Sequence, residues 1–195
     1  MGGAYEELIA AGILADDEDG RPELRAESAR LVRRMRERLV HSIGLFPADD
    51  AVAVPAVALE LGRALADLSE GAIAVVDAHG SWPCARSLVA GAAPDGTLLV
   101  TSRLDDNLAL LTPRMFDVGA MLQLRSVVVE LAATFTHLVV DLTGFDHMGE
   151  HPAAFDLLDG VVVVARGGQT KARQVRRWLR EVPDGRSLGV LLTGL

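Results

Sequence analysis

Residues 72–79 read AIAVVDAH, a continuous run of apolar residues that leads into an aspartate. Residues 137–144 read HLVVDLTG and residues 159–168 read DGVVVVARGG, so the pattern of an apolar run followed by a polar turn recurs. A run that is apolar at every position is typical of a strand buried on both faces of a parallel sheet. The three segments therefore predict the centre of a parallel β-sheet.

Helical patterns lie between these strands. From residue 23 onward, ELRAESARLVRRMRERLV places apolar residues at helical spacing, with arginine and glutamate on the other face. The remaining patterns predict strands at 41–46, 97–101 and 108–111, helices at 57–68, 116–135 and 169–182, and a last strand in SLGVLLTGL. Alternating strands and helices predict an α/β fold, a doubly wound, mainly parallel β-sheet flanked by helices.

Composition limits the classes of function. The 195 residues predict a tail with an acidic linker at 1–23 and one domain at 24–195. A net charge of −8 argues against a nucleic-acid partner, which normally meets a basic face. With a single cysteine, Cys84, no signal peptide and no long apolar run, we expect a cytoplasmic protein that reaches the inner membrane only through a partner.

The strand ends resemble those of a known class. IAVVDAH at 73–79, followed by Pro83, resembles the second Walker motif of MinD/ParA-like P-loop proteins, and the segment 138–141 resembles their Walker B strand. The late strand with its arginine-rich helix at 161–177 and the last strand at 189–194 also match. Over 24–195 the chain most resembles the cytosolic domain of bacterial tyrosine kinases (BY-kinases), which control capsule and exopolysaccharide export. The resemblance implies a P-loop NTPase-like fold.

The phosphate-binding loop departs from that family. A gap-free alignment puts Walker A on PADDAVAVPA at 47–56, which contains no glycine, with Val54 at the lysine position and Pro55 at the position of the metal-binding hydroxyl. A P-loop needs glycine backbone, a lysine and a hydroxyl to hold phosphates and Mg²⁺. We therefore expect no catalytic residue, no cofactor and no nucleotide hydrolysis. Asp77 and Asp141 remain as remnant Walker aspartates, which we expect to cap the turns that follow them.

The tyrosines give a second reason to expect no kinase activity. BY-kinases carry a C-terminal tyrosine cluster, whereas Tyr5 is the only tyrosine here and Leu195 follows the last strand directly. We expect neither a kinase nor a kinase substrate of the usual kind.

One charged motif predicts assembly. Glu27, Arg30 and Arg33 have the Glu-x-x-Arg-x-x-Arg spacing by which the resembling family associates with itself, one helix before the first strand. Residues at i, i+3 and i+6 lie near one helix face, where they can meet a neighbour's charges. The alternative is an ordinary solvated face. The resemblance implies a protein partner, either a polysaccharide co-polymerase or a related kinase, together with homo-oligomers.

A metal motif occurs once. HMGEH at 147–151 matches the H-x-x-E-H pattern of inverted zinc peptidases, whose two histidines share one helical face. Gly149 and Pro152 disfavour a regular helix through the segment, so we expect no metal site.

Besides a non-catalytic, BY-kinase-like protein that binds other proteins, two further hypotheses stay open. The first is a ParA/MinD-like positioning or motility factor that binds a polar regulator, which genes encoded nearby would distinguish from a role in polysaccharide export. The second is an enzyme with a rebuilt site around Asp77, His79 and Asp141. That enzyme would need a polar pocket at the strand ends, and filling of this place by Phe46, Val52 and Val54 would count against it.

Overall fold

The computed structural model describes residues 21–78, 99–113 and 120–194. Its strands form one seven-stranded sheet in the order β3-β4-β2-β5-β1-β6-β7. All neighbouring strands are parallel except β3 and β4. The predicted fold class, a doubly wound and mainly parallel α/β sheet, is confirmed. The elements are α1 (Arg21–Glu37), β1 (Ser42–Pro47), α2 (Val54–Leu68), β2 (Ile73–Asp77), β3 (Leu99–Arg103), β4 (Leu108–Pro113), α3 (Ala120–Ala132), β5 (His137–Asp141), α4 (His151–Leu157), β6 (Gly160–Arg166), α5 (Ala172–Glu181) and β7 (Ser187–Thr193).

The apolar strands separate two cores. Alternate residues of a strand point to opposite faces, so Ile73 and Val75 of β2 join the cluster under α1 and α2, while Ala74 and Val76 join the cluster under α3, α4 and α5. Every residue of β1, β2 and β5 is buried. This two-sided burial explains why these strands are apolar at nearly every position.

The edge hairpin differs from the simple alternation of strand and helix. β3 and β4 pair antiparallel, with Leu99 opposite Pro113, and only residues 104–107 connect them. A parallel connection needs a crossover of a dozen or more residues, so a link of this length permits only an antiparallel pair.

Two elements end at other residues than predicted. The strand expected at 97–101 ends at Arg103, and the helix expected at 116–135 ends at Ala132. The predicted domain bounds, 24–195, stay a prediction. Tyr5, His79 and Cys84 lie outside the described residues. Among the described helices, none is long and apolar enough to cross a membrane.

Candidate functional site

The carboxyl ends of the parallel strands meet at one edge of the sheet. Asp77 ends β2 and Asp141 ends β5, and the two aspartates lie opposite each other in the register of this strand pair. The loop at 48–53, which joins β1 to α2, opens at the same edge. Open parallel sheets bind their ligands at this edge. The structure therefore brings Asp77, Asp141 and the loop onto which the alignment places Walker A to the same edge of the sheet.

The backbone of this loop hydrogen-bonds to the chain itself. The N–H of Ala48 donates to the Val164 carbonyl at 2.8 Å, and the N–H of Val52 donates to the Asp49 carbonyl at 3.2 Å. The N–H of Ala51 donates to the Asp49 carboxylate at 3.1 Å. The N–H of Val54 donates to the Val52 carbonyl at 3.2 Å. Four amide groups of the segment that would surround a phosphate in a P-loop are thus already paired.

The helix that follows has one N–H group fewer in its first turn. Pro55 lies there and supplies no N–H, which removes one of the groups that an anion could bind. The side chain of Val54 is fully buried and that of Val52 is 6% exposed, both in the core under α1 and α2. The position that a P-loop lysine would occupy is therefore part of the hydrophobic core.

Aromatic rings pack beneath the loop on the other face of the sheet. The indole Nε1–H of Trp178 donates to the Ala48 carbonyl at 3.1 Å. The ring centroid of Trp178 lies 4.7 Å from that of Phe46 and 5.2 Å from that of His151. Phe46 and Phe155 meet edge to face at 5.1 Å. Rings from β1, α4 and α5 thus fix the first residue of the loop.

Asp141 is a buried carboxyl group with one hydrogen-bonding neighbour among the bonds described. Its Oδ1 accepts bonds from the backbone N–H of Thr143 at 2.9 Å and from the Thr143 hydroxyl at 2.6 Å. This is the turn-capping role predicted for it. Burial raises the pKa of Asp141 to about 7, the Asp77 carboxylate adds to the rise, and the hydrogen bonds from Thr143 oppose it. Because the charged form is disfavoured, Asp141 holds a proton far more readily than an exposed aspartate.

The H-x-x-E-H segment divides between two contacts. His147 lies in the loop after β5, and its Nε2 is 3.2 Å from the Asp50 carboxylate and 3.9 Å from the Asp146 carboxylate. His151 begins α4, and its Nε2 is 2.7 Å from the Glu181 carboxylate. The two histidines therefore do not share a site. Asp50, Asp146 and His147 do place one ligand atom each within 4.8 Å of one another, an exposed cluster that ties the loop at 48–53 to the loop at 142–150.

The predicted assembly motif lies on α1. Glu27 and Arg30 form an ion pair within the helix, and Arg33 is exposed. Further along α1, the guanidinium of Arg34 donates to the Leu188 carbonyl of β7. Glu27, Arg30 and Arg34 line a shallow hollow together with Val190 and Leu191 of β7. The motif therefore borders the β7 edge of the sheet, away from the loop at 48–53.

Phe46, Val52 and Val54 all have buried side chains, as expected if they fill the place of a polar pocket. Since His79 lies outside the described residues, the constellation of Asp77, His79 and Asp141 stays a prediction.

This architecture is an α/β domain with a P-loop NTPase-like fold. No protein-family model and no curated protein matches the sequence. Solved structures do match it. The BceF tyrosine kinase domain is similar over 98% of this chain and 87% of that one, with a TM-score of 0.70 and 13% identity. The kinase domain of the Escherichia coli tyrosine kinase ETK is similar over 90% and 75%, with a TM-score of 0.67 and 14% identity.

The likeness extends to a second group. A ParA family ATPase from Chlorobium tepidum is similar over 78% of this chain and 73% of that one, with a TM-score of 0.59 and 16% identity. At these identities the likeness establishes the fold. It confirms the predicted architecture, that of BY-kinase domains and ParA-type ATPases.

Sequence reasoning missed the contacts that tie the loops down. The bond from Trp178 to Ala48 spans 130 positions and the contact of His147 with Asp50 spans 97. The sequence carries a partial signal for the first, because an isolated tryptophan in an arginine-rich helix predicts a buried face with a hydrogen-bond partner for the indole. It carries no comparable signal for the second.

Proposed function

We propose that this chain is a non-catalytic pseudo-ATPase, a BY-kinase-type scaffold that acts by binding other proteins. The observation that carries the proposal is the segment 48–54. Four of its N–H groups are bonded within the chain, and the side chains of Val52 and Val54 are buried. Phosphate binding requires free N–H groups directed at the ligand and a cation for the β- and γ-phosphates. This loop instead presents the carboxylates of Asp49 and Asp50, which repel a phosphate.

We place the role in the synthesis and export of capsule or exopolysaccharide. Supporting this are the motif resemblance to BY-kinases and the shared fold with two tyrosine kinase domains. The chain would dock on a polysaccharide co-polymerase or on an active kinase of the same fold, and thereby regulate it. Co-purification with a co-polymerase or a kinase of this fold tests the placement, and the absence of both from the purified complex would count against it.

The ParA-like fold favours a second candidate, a positioning or motility factor. Partition or motility genes beside this one, in place of glycosyltransferases and an outer-membrane exporter, would favour that role. Loss of polar localisation of a motility protein on deletion of the gene, with normal polysaccharide export, would establish it.

Titration calorimetry with ATP and Mg²⁺ tests the loss of nucleotide binding. We expect no binding heat, and micromolar binding by the wild-type chain would refute the proposal. The double variant Asp49→Asn, Asp50→Asn is the matched control because it removes the two charges. Binding that appears only in this variant would show that charge repulsion, and not the altered backbone, excludes the nucleotide.

A further inference from the structure

Among the described residues, only the first half of the outer edge of β7 carries the usual protection of a strand edge. β7 ends the sheet, and β6 is its only neighbour among the described strands. Its residues read SLGVLLT, without charge or proline. Natural proteins protect such edges with charged residues, proline or bulges, because the unpaired backbone groups can pair with another strand.

The first half of this edge is covered by arginines. A bulge at Leu188 interrupts the pairing with β6. The Arg34 guanidinium donates to the Leu188 carbonyl and the Arg38 guanidinium donates to the Ser187 carbonyl, the latter at 2.9 Å. These carbonyls are therefore occupied by side chains of the same chain.

Within 21–78, 99–113 and 120–194, no residue is seen to hydrogen-bond to the outer side of the second half of the edge. The Thr193 carbonyl accepts a bond from the N–H of Gly167 in the loop after β6. Because alternate residues of a parallel strand bond to the same neighbour, Leu191 and Thr193 direct their backbone groups at β6, while Val190 and Leu192 direct theirs outward. The residues Val190 and Leu192 are also 37% and 43% exposed, and their side chains share one face of the sheet.

We infer that this half-edge pairs antiparallel with the same strand of a second copy of the chain. A two-fold axis at Leu191 places Val190 of each copy opposite Leu192 of the other. Val190 of each copy then exchanges two N–H···O bonds with Leu192 of the other copy. The exposed apolar side chains of these two residues meet across the strand pair. Leu188, whose carbonyl is occupied, falls opposite Gly194, which has no side chain.

The charges beside the strand fit a second copy. Glu27, Arg30 and Arg34 form a row on α1 that borders Val190 and Leu191. A two-fold axis reverses this row in the second copy, so the acidic end of one row lies toward the basic end of the other. The inference goes beyond the proposed function, which concerns other proteins, and does not depend on the loss of nucleotide binding.

Sedimentation velocity across a wide concentration range tests the dimer. We expect the wild type to reach twice the 20.7 kDa chain mass and Leu192→Lys to weaken dimerisation at least tenfold, because it places charge against an apolar strand. Val129→Lys, at a 65% exposed valine on α3, is the matched control and should dimerise like the wild type. A wild-type chain that stays monomeric, or a Leu192→Lys variant that dimerises normally, would overturn the inference.

Cysteine pairing tests the register, in a Cys84→Ser background. Residues 190 and 192 of opposite copies should lie about 5.5 Å apart between Cα atoms, within the range of a disulfide. Mixing Val190→Cys chains with Leu192→Cys chains should give a linked dimer in far higher yield than either chain alone. Equal yields from the mixture and from the single variants would overturn this register.

The triple variant Glu27→Ala, Arg30→Ala, Arg33→Ala separates this inference from the assembly predicted through the α1 motif. A dimer that persists in the triple variant but not in Leu192→Lys supports pairing through β7. Association lost in the triple variant and unchanged in Leu192→Lys supports the motif alone and overturns the β7 inference. Neither result affects the calorimetric test with ATP.

Discussion

Replacing Asp141 with asparagine should stabilise the protein at alkaline pH and not at acidic pH. Asp141 is 2% exposed and lies opposite Asp77 at the end of β5. Asparagine keeps an oxygen that can accept both bonds from Thr143, and it carries no charge to desolvate. The variant therefore removes only the cost of ionising a buried carboxyl group.

The magnitude follows from the pKa. Folding raises the pKa of Asp141 from 3.8 to about 7, so the native state keeps a proton that the unfolded chain releases. The contribution of Asp141 to the free energy of unfolding is fully present below pH 3.8 and is lost as the pH rises toward 7. At about 1.4 kcal/mol per pH unit, the loss in this range is on the order of 4 kcal/mol. Between pH 5 and pH 8 this loss of unfolding free energy is about 3 kcal/mol, which corresponds to roughly 6–12 °C in melting temperature for a chain of this size.

Thermal unfolding of Asp141→Asn and wild type at pH 5 and pH 8 measures the effect. Asp159→Asn is the control of opposite sign. Burial opposes ionisation of Asp159, but bonds from the backbone and hydroxyl of Ser42 and the backbone of His41 lower its pKa below the ordinary 3.8. Both test pH values lie above that pKa, so Asp159→Asn should be destabilised equally at each. An advantage of Asp141→Asn that does not grow between pH 5 and pH 8 would refute the raised pKa.

Three further variants test how the loop and the turns are held. Trp178→Phe keeps a ring but loses the bond to Ala48, so urea unfolding should show a loss of about 1 kcal/mol; an unchanged midpoint would mean that this bond contributes nothing. Gly71→Ala should lower the free energy of unfolding by about 1–3 kcal/mol more than Gly168→Ala does. Both glycines have a positive φ, but only at Gly71 would the new Cβ lie 2.1 Å from a side-chain oxygen. Val54→Lys should destabilise by several kcal/mol, because it buries a charge without a partner, and should not create ATP binding in calorimetry. Calorimetric binding by this variant would show that the lysine alone was missing.

The strands could be predicted from sequence because their burial leaves a local pattern. Each run such as 73–76 or 161–164 is apolar on both faces, so its existence and type follow without tertiary information. The position of the loop at 48–53 also followed from the sequence, because it lies between a recognisable strand and a recognisable helix. The antiparallel pairing of β3 with β4 was not predicted, although the four residues between them exclude a parallel crossover.

The site could be predicted only in part. Its aspartates end two strands, and parallel strands bring their carboxyl ends together, so the proximity of Asp77 and Asp141 follows from strand order. The contacts of Trp178 with Ala48 and of His147 with Asp50 depend on how distant helices and loops settle on the sheet. The bulge at Leu188, which divides the β7 edge into a covered and an open half, leaves no periodic pattern in the sequence either.

The contacts around the loop also bear on why this scaffold would fold without a nucleotide. In a P-loop protein the loop amides are satisfied by phosphate, so the bound ligand stabilises the native state. Here the amides of Ala51, Val52 and Val54 bond within the loop, and Trp178 holds the Ala48 carbonyl. The buried valines add apolar area on the inner side. The stabilisation that a bound ligand supplies in a P-loop protein is therefore provided here by contacts within the chain itself.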